Sequence, residues 1–81
     1  MQDIQTYKIM IEESTAEGDF MAYIPALRTG ARGDSKEEAL LNAKDLLEAA
    51  IELSLNRGTA LPKDTAILET IKLNVVPAVL K

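Results

Sequence analysis

Apolar and polar side chains alternate over residues 6–12, with Tyr7, Ile9 and Ile11 on one face and Lys8, Met10 and Glu12 on the other. A period of two predicts a half-buried strand. The polar stretch Glu13-Ser14-Thr15-Ala16-Glu17-Gly18-Asp19 follows, and its glycine can take positive φ in a turn. A second alternating run over residues 20–24 puts Phe20, Ala22 and Ile24 on one face and Met21 and Tyr23 on the other, then stops at Pro25. The two runs predict an antiparallel hairpin. Between Pro25 and Gly33 there is room only for a brief third strand, expected over residues 29–32.

The period then lengthens. Ala39, Leu40, Ala43, Leu46, Leu47, Ala50, Ile51 and Leu53 recur at three- and four-residue spacing, which predicts a helix over Lys36–Arg57 with Gly58 placed to close it. Its start carries a capping box. The Ser35 hydroxyl is expected to accept from the amide of Glu38 while the Glu38 carboxylate reaches back to the amide of Ser35. Beyond Leu61-Pro62 a turn or short helix is expected over residues 64–69, leading to Thr70-Ile71-Lys72-Leu73-Asn74-Val75-Val76, which alternates again and predicts a final strand ending before Pro77. The order β-β-β-α-β predicts an α+β fold, a small and mainly antiparallel sheet with one long helix packed on one face.

Composition narrows the chemistry. With 81 residues the chain is expected to form one domain over 1–81, near the lower size limit for a single hydrophobic core. It has no cysteine and no histidine, which removes disulfides, thiolate metal sites and the usual zinc and general-base chemistry. A net charge of −4 disfavours attraction to a phosphate backbone, so no direct nucleic-acid contact is expected. The start Met1-Gln2-Asp3-Ile4-Gln5 has no basic or apolar leader pattern and no apolar run approaches about 20 residues, so a cytoplasmic chain without membrane contact is expected.

Glu12, Asp19, Asp34 and Asp45 are the carboxylates a metal-dependent nuclease would have to draw together. Their positions in a hairpin turn, a helix start and solvated faces argue against a shared site. Ser14, Thr15 and Ser35 have no histidine to activate them. No enzymatic activity, metal or cofactor is therefore expected. Binding surfaces are better supported. Met10, Met21 and Tyr23, with Lys8 beside them, lie on the sheet face opposite the expected core, and adaptable methionines beside a tyrosine suit a protein contact. Glu37, Glu38, Asp45, Glu48 and Glu52 form an acidic helix face suited to a basic partner, whereas Arg28 and Arg32 are candidates for holding an anion near the helix start. A 22-residue helix is about 33 Å long against ~20 Å for a six-residue strand, so its far end, with Leu53 and Leu55, is expected to be an oligomer contact in a homodimer or tetramer.

Taken together, residues 7–12, Gly18-Asp19-Phe20-Met21-Ala22-Tyr23-Ile24-Pro25, Gly33-Asp34-Ser35-Lys36-Glu37-Glu38-Ala39-Leu40 and Gly58 followed by Leu61-Pro62 resemble the HicB family of antitoxins, in its N-terminal, degenerate ribonuclease H-like domain. The resemblance covers most of the chain. It implies a truncated ribonuclease H fold and a partner of HicA type, a small basic messenger-RNA-cleaving toxin that the antitoxin binds and neutralises. The alternative is an orphan oligomeric domain of the same fold without a toxin. Where the family usually has a Leu-Pro-Gly-Cys-like loop, this chain has Ala26-Leu27-Arg28-Thr29-Gly30-Ala31-Arg32, about one residue shorter. No C-terminal DNA-binding domain, and hence no operator binding, is expected.

Overall fold

The computed structural model describes residues 4–14 and 16–77. Thr15, residues 1–3 and residues 78–81 lie outside them. Three antiparallel strands, β1 (Met10–Glu13), β2 (Phe20–Ile24) and β3 (Thr29–Gly33), form a sheet in the order β1-β2-β3, and one helix, α1 (Lys36–Arg57), follows. The fold is α+β. Cross-strand partners run Met10 to Tyr23, Ile11 to Ala22 and Glu12 to Met21 on one side of β2, and Ala22 to Ala31, Met21 to Arg32 and Tyr23 to Gly30 on the other. The register therefore places Ile11, Ala22 and Ala31 on the helix side. Met10, Met21 and Tyr23 face away from it.

The core is small. Ala22 and Ile24 of β2 pack against Ala39, Ala43 and Leu47 of α1, with Tyr7, Ile9, Ile11, Phe20, Ala26, Leu27 and Ala31 half-buried around them. Three of the five buried residues are alanines, so the helix lies close to the sheet. The approach is tightest at Gly33, where an added Cβ would come within 2.8 Å of the Glu38 carbonyl carbon. Only a residue without a side chain lets the first turn of α1 rest on the end of β3. The helix accordingly packs mainly over β2 and β3 and only slightly over β1.

Local signals fix both helix ends. Ser35 is extended at the N-cap and its Oγ accepts from the Glu38 amide at 3.1 Å. The Glu38 carboxylate closes the box one residue earlier than the sequence pattern predicts, accepting from the Asp34 amide at 2.8 Å rather than from that of Ser35. The acceptor reaches past the cap to the last amide of the incoming loop. At the far end Gly58 adopts φ 67° and donates to the Leu55 and Ser54 carbonyls, while the Thr59 amide donates to Ser54 at 2.9 Å. This left-handed cap is the conformation glycine takes without a Cβ penalty.

Two expected strands differ from the structure. The first begins at Met10 rather than at residue 6, because its partner β2 ends at Ile24 and the chain turns at Pro25, leaving the earlier residues no ladder to join. Tyr7 and Ile9 still pack on the core from irregular chain. The final strand does not form: residues 70–76 are irregular, exposed and unpaired, and no helix forms over 64–69. Alternation supplies a face, but a strand also needs a neighbouring edge within reach. After Pro62 the chain instead crosses residues 7 and 8 and leaves the body.

Because α1 rests on Gly33 through its backbone, Gly33→Ala is expected to destabilise the fold by about 1–3 kcal/mol through forced separation of helix and sheet. Urea midpoints of the two proteins measure this. An unchanged midpoint would contradict the close contact.

Candidate functional site

Two uncovered surfaces lie on opposite sides of the sheet. On the side away from the helix, Met10 and Tyr23 are direct cross-strand partners, and Met21 sits between Glu12 and Arg32 in the next row. Gly30 is what lets these side chains meet: a Cβ there would stand 2.8 Å from the Met21 sulfur, so Met21 leans across it toward the Tyr23 row. Met10 is 53% exposed, whereas Met21 and Tyr23 are half-buried. The three residues expected to form a partner surface are thus contiguous. Lys8 does not stand free beside them. Its Nζ lies 3.7 Å from the Asp64 carboxylate.

A charged margin borders this face. Arg32 Nη1 donates to Glu17 Oε2 at 2.8 Å and to Asp19 Oδ2 at 3.2 Å. The hydrogen bond and charge of Glu17, then those of Asp19, hold the guanidinium above its ordinary pKa. Asp19 Oδ1 is enclosed and has no hydrogen-bond partner among the described residues. The expected pairing of Arg28 and Arg32 around an anion is not formed. They sit before the start and near the end of β3, about 13 Å apart along an extended chain, and Arg32 is already held by two carboxylates. Arg28 instead occupies the left-handed region, φ 55°, in the β2–β3 turn.

On the helix side, α1 and the irregular chain before β1 flank an apolar groove of about 500 Å³ lined by Tyr7, Ile9, Glu37, Leu40, Leu41, Lys44 and Leu47. Leu40 and Leu41 are 43% and 57% exposed. A second hollow of about 440 Å³ continues along the helix past Lys44, Leu47, Glu48, Ile51 and Leu55 to Gln5 and Leu61. Leu55 lines it, but Leu53 does not. Two residues along a helix turn through about 200°, so Leu53 and Leu55 look in different directions and no single flat contact takes both. The helix acids divide similarly. Glu38, Asp45 and Glu52 recur every seven residues along one exposed stripe, while Glu37 and Glu48 border the groove.

Asp64 positions the chain that leaves this region, and no sequence pattern singled it out. Its Oδ2 accepts from the Lys8 amide and its Oδ1 from the Ala66 amide at 2.9 Å, and its side chain is only 3% exposed. Tyr7 Oη donates to the Pro62 carbonyl at 2.7 Å beside it. An aspartate two residues before the amide it accepts from was the available signal, an Asx turn. The Lys8 amide, the Ala66 amide and the Lys8 charge hold the carboxyl below its ordinary value.

Glu12, Asp19, Asp34 and Asp45 are spread over β1, the hairpin turn, the helix start and the middle of α1. Among the described residues no three acidic side chains converge as a metal site, and no helix is long and apolar enough to cross a membrane. Comparison with family models, curated proteins and solved structures finds no significant match.

A carboxyl with a depressed folded-state pKa stabilises above its unfolded value near 4, and that contribution is lost as pH falls through the lower folded value. The Lys8 amide resonance of the parent protein is therefore expected to titrate below pH 4, and that of Asp64→Asn to stay constant. NMR spectra from pH 6 to 2 measure this, and a parent Lys8 amide unmoved across that range would contradict the clamp.

Proposed function

We propose that this chain is a protein-binding module of the antitoxin type, which masks a small basic messenger-RNA-cleaving toxin of the HicA class. The observation that carries the reading is the contiguous Met10–Met21–Tyr23 surface, left bare because a single helix covers only the other face of the sheet. Flexible thioethers beside an aromatic ring make an adaptable anchor, and such residues are enriched at the buried centres of interfaces. Glu12 borders it, as do Glu17 and Asp19, which share Arg32 between them, and the chain's net charge of −4 favours a cationic partner by long-range attraction. The resemblance of the strand, loop and capped-helix sequence to HicB antitoxins supplies the class of partner.

An orphan oligomeric domain of the same fold is the second reading. The exposed apolar residues after the helix favour it, because they are suited to covering a neighbouring copy. The readings differ in which side of the sheet is used.

Co-expression of the chain with the product of an adjacent gene for a small basic protein is expected to relieve that protein's toxicity, and the two should copurify. Tyr23→Ala is expected to weaken the complex at least tenfold in Kd while leaving the urea midpoint within error, since the ring lies outside the core. Isothermal titration with the parent and the variant decides between them. Equal affinities would remove the open face from the interface.

A further inference from the structure

The groove between residues 7–9 and α1 is open to solvent, and the chain carries an alternating segment that pairs with nothing in its own chain. Beyond Ala66 the apolar residues Ile67, Leu68, Ile71, Leu73, Val75 and Val76 are between 59% and 79% exposed. The segment stands off the body: the radius of gyration is 16.8 Å, against roughly 12 Å for a compact domain of this length, and the longest dimension is 57 Å. Its alternation is that of a half-buried strand. Ile71, Leu73 and Val75 share one face, and Thr70, Lys72 and Asn74 share the other.

We propose that residues 67–76 form an exchange arm that adds as a fourth strand beside β1 of a second copy of this chain, seating Ile71, Leu73 and Val75 in that copy's groove. β1 is an edge strand with one side unpaired among the described residues. The opposite edge, β3, is partly occupied by Asn42, whose Nδ2 donates to the Arg32 carbonyl at 2.8 Å. The dimensions agree. Ile71 to Val75 spans about 13 Å of extended chain, and Leu40 to Leu47, which line the groove, about 10 Å of helix. The polar face would then continue the outer face of the sheet beside Met10 and Glu12. This placement gives the alternating segment the neighbouring strand it lacks within its own chain.

The occupant is a second copy because of how the arm leaves. Tyr7 holds the Pro62 carbonyl and Asp64 holds the Lys8 and Ala66 amides, so the chain is fixed against residues 7 and 8 just before its exposed apolar segment begins. Two chains exchanging arms reciprocally close into a two-fold dimer, and each groove is completed by its partner's residues. The inference does not rest on the toxin reading. It uses the helix side of the sheet, and failure of either leaves the other standing.

The test uses the full chain at micromolar concentration. Sedimentation equilibrium is expected to give twice the 8.8 kDa chain mass or a multiple of that dimer. In a sample mixing isotope-labelled and unlabelled protein, filtered NOE spectra are expected to show contacts from the Ile71, Leu73 and Val75 methyls of one copy to Tyr7 and Leu41 of the other. Leu73→Asp, 76% exposed in the single chain and remote from the core, is expected to sediment as an 8.8 kDa species with an unchanged helical circular-dichroism signal. A monomeric parent protein overturns the proposal, as do arm contacts found only within one chain. So does a Leu73→Asp protein that remains a dimer.

Discussion

The backbone contact between the first turn of α1 and the end of β3, made possible at Gly33, governs the rest of the structure. With no Cβ at that position and alanine at 39 and 43, the helix settles directly over β2 and β3. Larger residues would lift it and centre it on three strands. The close contact has a consequence on the other flank. Leu40 and Leu41 are exposed beside Tyr7 and Ile9 in the chain before β1, and a groove opens between them. A tight but small core on one flank thus creates an apolar surface on the other. For a chain of 81 residues that imbalance matters, because small domains bury a low fraction of their surface and have little stability in reserve.

Much of this is legible in the residues themselves, and the reasons are local. The helix bounds Lys36–Arg57 follow from Ser35, Glu38 and Gly58, each of which acts on amides or carbonyls a few residues away. The hairpin faces follow from the two-residue period of a strand, which puts Met21 and Tyr23 on the face opposite Phe20, Ala22 and Ile24 once the register is set. What alternation cannot supply is a partner strand. Residues 6–9 alternate as well as residues 10–13 do, yet only the latter stand opposite β2 before it ends at Pro25. Residues 70–76 alternate best of all and have no strand beside them in their own chain. The same limit explains Arg32, whose partners Glu17 and Asp19 are brought close by hairpin folding and not by sequence spacing. Leu53 and Leu55 show a simpler geometric point, since apolar residues two apart on a helix cannot belong to one face.

The two uncovered surfaces are on opposite sides of one sheet and do not compete. Met10, Met21 and Tyr23 form a face bordered by Glu12 and by the Glu17, Asp19 and Arg32 cluster. The groove between residues 7–9 and α1 is apolar, and so is the face of the final segment that carries Ile71, Leu73 and Val75. A chain that exchanges arms would still present two open sheet faces, one per copy, to a partner. The strands carry Met10, Met21 and Tyr23 on one face, and the long helix packs against the other.

The central claim is that the single chain leaves its fold incomplete on the β1 flank and that a second copy completes it. An assembly whose copies complete one another unfolds at a temperature that depends on concentration, because dissociation accompanies loss of structure. The most direct measurement is the thermal midpoint followed over a hundredfold range of protein concentration. A midpoint that rises steadily with concentration is the expected result. A sharp, reversible transition at one temperature throughout that range would show that the single chain is complete by itself, and would contradict the account.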